Sequence, residues 1–162
     1  MADVDWRAFM ARHGGAALLY ARQITGTLPD AEDALHDGFV RFWRRRAGAH
    51  DQAGLFFACV RTAALDLQRA NRRRGRRDQS LAAAWFDLPD DTASCSEEVE
   101  KALRGLNAAQ REVVVLKIWG GLTFAEVAEV LGELPNTVAG RYRDALGKMT
   151  AALLPEVNHE RR

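Results

Sequence analysis

Arginine is the side chain whose number and spacing suggest chemistry most directly here. Six arginines lie between Arg69 and Arg77, in the stretch DLQRANRRRGRR, with Asp66 and Asp78 as the adjacent acids. A guanidinium stays charged and presents a fork of N–H donors that matches phosphate oxygens. Such a run has two readings, a solvated helix end or a surface for polyanion. Other chemistry has little support. Cys59 and Cys95 form no CxxC pair, and His13, His36, His50 and His159 are scattered, so neither a metal site nor a disulfide framework is expected. No nucleophile–base pair or glycine-rich phosphate loop stands out. The expectation is therefore no catalytic residue, no cofactor and no small-molecule substrate, in a chain that is not an enzyme.

A second group of candidates lies in LTFAEVAEVLGELPNTVAGRYRDAL, residues 122 to 146. Its spacing is that of a helix-turn-helix. Ala128 is small where a second helix must approach the first, and Gly132 sits where the turn needs a positive φ. Val138 is expected to anchor the second helix, with Tyr142, Leu146 and Met149 continuing its inner face. That leaves Asn136, Thr137, Ala139, Gly140, Arg141 and Arg143 pointing outward near the helix start, the half of a recognition helix that enters a major groove. The plain alternative is an ordinary helical bundle with a glycine turn.

The elements that must position these residues all read as helix. Of the 162 residues, 48% are hydrophobic and 28% charged, an ordinary globular composition. No apolar run is long enough to span a membrane, and the N-terminus lacks a signal peptide's apolar core, so a cytoplasmic location without membrane insertion is expected. The spacing predicts a short helix over Asp5 to Arg12 that breaks at Gly14 and Gly15, and a second over residues 16 to 25 that stops at Gly26. A third opens at Pro29 and Asp30, carries the stripe Leu35, Phe39, Phe42 and Trp43, and closes at Arg44 to Arg46. After a loop, AGAHDQAG, comes a helix with the stripe Phe56, Val60, Ala63 and Leu67, which runs into the arginines. Capping-box patterns at Ser94-x-x-Glu97, Asn107-x-x-Gln110 and Thr123-x-x-Glu126 then open three further helices, and a last one runs from Pro135–Asn136 to about Leu153.

Charge divides the chain where the helices do. Residues 1–77 carry a net charge of +6, residues 78–100 carry −7 and residues 101–162 carry +2. Two basic blocks joined by an acidic, Pro89-containing strip predict two small helical domains, 1–77 and 96–155, an acidic linker at 78–95 and a tail at 156–162. The strip holds too few apolar residues to dock the domains firmly, so a monomer with independently moving domains is expected.

The pattern DAEDALHDGFVRFWRR, then FFACVRTAALDLQRANRRR, then LNAAQREVVVLKIWGGLTFAEVAEVLG, three further residues and NTVAGRYRDAL, resembles bacterial RNA polymerase sigma factors of the extracytoplasmic-function (ECF) group, in the sigma-70 family. The resemblance covers about residues 5 to 153 and implies an all-α fold. Its first domain would be like sigma region 2, and its second a helix-turn-helix of the winged-helix-like region 4 type. It implies that Asp33, Leu35, His36 and Asp37 meet core polymerase. It implies that the loop from Ala47 to Leu55, with His50 and Asp51, captures a flipped base of the −10 element, while Arg61, Gln68, Arg69, Arg72 and Arg73 line the DNA path. It further implies −35 contacts by Thr123, Asn136, Thr137, Ala139, Gly140, Arg141 and Arg143. The expected partners are core RNA polymerase, promoter DNA and an anti-sigma protein.

Four positions depart from the family pattern. Ala49 and Ala58 are small where aromatic residues are common, which reduces stacking surface for an extruded base. Ala139 and Gly140 replace Lys and Ser in the recognition helix. The alternatives are a stand-alone helix-turn-helix regulator, which would bind its operator without polymerase, and a helical adaptor with no salt-sensitive DNA affinity.

Overall fold

The computed structural model describes residues 4–75 and 97–154. The expected linker at 78–95, with Ser94 and Cys95, lies outside the described residues, as do Arg76, Arg77 and the tail at 156–162. Among the described residues every regular element is helical: α1 (Trp6–Thr25), α2 (Leu28–Arg45), α3 (Gln52–Arg73), α4 (Glu97–Arg104), α5 (Ala108–Val114), α6 (Phe124–Leu131) and α7 (Pro135–Leu153). A π-type turn, Val115–Trp119, extends α5.

Helices α1, α2 and α3 pack on one another around Phe42, Phe56 and Phe57, all at 0% exposure. The rings of Phe9, Phe42 and Phe56 lie within 5.5 Å of one another, centroid to centroid. The expected break at Gly14 and Gly15 does not occur, since α1 passes through both. Two helical glycines disfavour the helix by about 1 kcal/mol each. Trp6 and Phe9 before them and Ala16 to Ala21 after them dock on the same core, so packing on both sides overrides local preference. Helix α1 ends at Gly26, whose φ of +88° suits glycine.

Helix α2 carries a third glycine with a different role. A Cβ at Gly38 would lie 2.6 Å from the Cα of Val60, so the bare position is what lets α2 cross α3 closely. Helix α3 begins earlier than the expected loop allows, at Gln52, because Asp51 caps it by accepting from the Gly54 N–H at 2.9 Å.

In the second group of helices, α7 packs on α4, α5 and α6. The Asn107 and Thr123 capping boxes both form as predicted, and Gly132 takes φ +67° at the turn between α6 and α7. Helix α5 and its π turn bury Val113, Val114, Val115 and Leu116 in succession, because α7 lies against the helix and α1 against the turn. Along α7 the inner face is Val138, Ala145 and Met149 rather than Leu146, which is 36% exposed. The two helical groups touch, with α6 on α3 and the π turn on α1. The charge pattern predicted bodies free of each other, and this contact is a feature the composition did not disclose.

Candidate nucleic-acid interface

The expected surfaces begin with the arginines. Arg69, Arg72 and Arg73 line one open concavity of about 540 Å³ near the C-terminus of α3, with Asp66 beside them. All three are exposed. Their helix end is held in place by Asn71, whose Nδ2 donates to Asp30 of α2 at 3.0 Å. Asp66 is shared, accepting from Arg41 at 3.0 Å and standing 3.8 Å from Arg69. Arg41 also meets Asp37 at 2.9 Å, so one acid–base chain runs from the α2 surface to the arginine cluster.

The other residues expected along that DNA path divide. His50 is exposed in the loop before α3. Asp51 is engaged as the helix cap, and a Cβ at Gly54 would come within 2.1 Å of its carboxylate, so Gly54 leaves room for the cap. Arg61 and Gln68 are engaged by other helices. Arg61 Nε donates to Glu112 of α5 at 3.0 Å, and Gln68 Nε2 donates to the Ile24 carbonyl of α1 at 2.9 Å. Ala49 and Ala58 are half-buried. The aromatic surface near this loop is instead Trp43, 39% exposed, with the Arg46 guanidinium 3.3 Å from its ring centre.

On α2, Asp33, His36 and Asp37 are exposed together on one face. Leu35 is different, because it is half-buried and packs against the core.

On the helix-turn-helix, Val138 is fully buried between α6 and α7, and Tyr142 meets Phe124 edge to face at 5.4 Å. This sets the rotation of α7 and leaves Asn136, Thr137 and Arg143 exposed, with Ala139 and Gly140 half-buried beside them. A Cβ at Gly140 would meet nothing within 4 Å. Thr123 is exposed and caps α6 by accepting from the Glu126 N–H at 3.2 Å. Arg141 points toward the turn and pairs with Glu133 at 3.1 Å. Sequence reasoning missed Glu133 as its partner, although an acid eight residues before an arginine across a glycine turn is a usable signal.

Among the described residues no group of three or more His, Cys, Asp or Glu side chains could hold a metal ion, and no helix is long and apolar enough to cross a membrane. Fold and surface together define a helical protein with a helix-turn-helix and a separate basic face. A family model described as "Sigma-70, region 4" matches residues 96–149. The chain is 30% identical over 127 residues to the ECF RNA polymerase sigma factor SigK of Mycobacterium ulcerans, covering 72% of this chain and 68% of that one. It is 27% identical over 156 residues to the ECF sigma factor SigL of Mycobacterium tuberculosis, covering 91% and 88% of the two chains. The sigma factor RpoE of Bartonella quintana, solved in complex with the anti-sigma factor NepR, superposes with a TM-score of 0.70 at 21% identity, over 94% of this chain and 98% of that one, and so shares the fold. This chain belongs to the ECF RNA polymerase sigma factors.

Proposed function

We propose that this chain is a dissociable specificity subunit that binds core RNA polymerase and directs it to promoters, acting in the cytoplasm and not as an enzyme. The observation that carries the proposal is the pairing of two surfaces on one chain. One is the Arg69, Arg72 and Arg73 concavity on α3, and the other is the exposed N-terminal half of α7. Phosphate contacts by the first supply salt-dependent affinity without sequence preference. The second reads base edges through Asn136, Thr137 and Arg141, with Arg143 on phosphate. Residues 1–77 and 96–155 are the proposed working units for the −10 and −35 elements.

The exposed acids Asp33 and Asp37, with His36, are the proposed contact with polymerase. An anti-sigma factor, the kind of protein bound in the RpoE neighbour, is the proposed antagonist. Run-off transcription with purified core polymerase on a promoter library tests the assignment. Start-site-specific transcripts are expected only when this chain is added. No transcript and no association with core, together with binding of a palindromic operator as a dimer, would instead identify a stand-alone regulator.

A further inference from the structure

We propose that Glu133 is a positioning residue for promoter reading. From the turn of the helix-turn-helix it holds the Arg141 guanidinium in one pose, with part of its donor fork left free for a base. The inference rests on the assignment of Arg141 as a reader of the −35 element.

The two partners are fixed independently. Glu133 follows Gly132, and its own N–H donates to the Ala128 carbonyl of α6 at 2.9 Å. Gly132 takes φ +67° to allow this, so the closing turn of α6 decides where the Glu133 side chain starts. Arg141 belongs to α7, whose rotation is set by Val138, at 0% exposure, and by the edge-to-face contact of Tyr142 with Phe124. An acid anchored at the end of one helix thus meets a guanidinium anchored on the next, Arg141 Nη2 donating to Glu133 Oε1 at 3.1 Å.

The pair suits orientation better than stability. The two side chains are 32% and 38% exposed, and an ion pair so open to water adds little to folding. An arginine carries five N–H donors in a planar fork, and Glu133 takes one of them on Nη2. The other nitrogens keep donors for a bidentate contact with O6 and N7 of guanine. Holding one edge removes much of the rotational freedom that a free arginine loses on binding. It also stops the guanidinium from swinging to a phosphate or a neighbouring base when the guanine is absent, which is discrimination against the wrong site. A carboxylate in this place repels phosphate and so weakens binding to every sequence alike. Selectivity is what it returns.

The test uses the full chain bound to core polymerase, on promoter duplexes substituted at each −35 base pair in turn. Wild type is compared with Glu133→Ala, Glu133→Gln, Arg141→Ala and the double variant Glu133→Ala with Arg141→Ala. Arg141→Ala should lose roughly 5- to 150-fold of discrimination at one base pair. Glu133→Ala should lose about two- to tenfold at that same base pair and leave the others unchanged, as expected for freeing one long side chain. Glu133→Gln removes the same charge but retains an acceptor. Both Glu133 variants should therefore tighten binding to all sequences at low salt, while Gln keeps more of the discrimination. In the double variant the loss should equal that of Arg141→Ala alone. Nitrogen-15 relaxation at Arg141 Nε in the free chain should show more motion in Glu133→Ala than in Glu133→Gln.

Unchanged discrimination in Glu133→Ala overturns the proposal, as does an equal loss in Ala and Gln, which would make the charge alone responsible. A further loss in the double variant also overturns it, because Glu133 would then read a base itself. Should Glu133→Ala lose its helical circular dichroism, Glu133→Met, of similar length and without a carboxylate oxygen, takes its place. Discrimination that survives Arg141→Ala removes Arg141 as a reader and Glu133 with it. Discrimination lost in Arg141→Ala but kept in Glu133→Ala removes the positioning role alone.

Discussion

Replacing Gly38 by Ala should destabilise this protein, although the same substitution at Gly147 of α7 should do the reverse. The new Cβ would stand 2.6 Å from Val60 Cα and 2.9 Å from both Val60 N and Val60 Cγ2. Non-bonded carbons settle at about 3.5–4.0 Å, so α2 and α3 must separate by about 1 Å at their crossing. Two of those atoms are backbone, so a rotamer change gives no relief. Overpacking of this kind costs about 1–3 kcal/mol, while Ala in place of Gly returns up to about 1 kcal/mol of helix propensity. The net expectation is a loss of about 1–2 kcal/mol, or a fall in Tm of about 2–8 °C for a chain of this size. Gly147 supplies the control, since a Cβ there meets nothing within 4 Å. Gly147→Ala should gain about 0.5–1 kcal/mol. Urea and thermal unfolding of both variants give the comparison. If Gly38→Ala proves as stable as Gly147→Ala, the close crossing is not what requires glycine there.

Charge reversal at Asp33 and Asp37 should abolish co-purification with core polymerase and leave the melting temperature nearly unchanged. Both acids are exposed and Asp37 makes only a surface pair with Arg41, so unfolding of the double variant would make them structural. Arg141→Ala should relax base preference at one −35 position by about 1–3 kcal/mol, whereas Arg143→Ala should weaken all sequences alike. A base-substitution scan in which Arg141→Ala lowers every site equally removes it as a reader. His13 lies between Phe9 and Phe57, and desolvation, aided by the Arg12 charge and opposed by Asp51, holds its pKa below the ordinary 6.5. The folded state therefore binds the proton less readily than the unfolded chain. That contribution is present above about pH 6.5 and is lost as pH falls through the lower folded value. The urea midpoint should drop on acidification from about pH 7.5 to 5.5, and the drop should shrink in His13→Leu; equal drops in both proteins rule out this origin.

What the sequence determined by itself was local. Asn107 and Thr123 cap helices because an Asx or hydroxyl oxygen reaches the N–H three residues on, and Gly132 turns because it alone takes φ +67° without strain. The spacing of Ala128, Gly132 and Val138 was enough to draw the helix-turn-helix, and the family pattern places Thr137 and Arg143 on its exposed face. Tertiary structure decided whatever depends on residues distant in the chain. Gly14 and Gly15 stay helical because the core grips α1 on both sides of them. Ala145 replaces Leu146 on the inner face of α7, where α4, α5 and α6 fix that helix's rotation. Gly38 marks a crossing that only the partner Val60 explains, and Leu35 is drawn into the core it helps to close. Arg61 and Gln68 share a charged or polar face with their neighbours on α3, and no rule of spacing says which of these meets solvent. Glu112 and Ile24 settle it by arriving from other helices within hydrogen-bond distance. Helix ends and faces follow from interactions a few residues apart, whereas the choice of partner for a charge follows from which surfaces the fold brings together.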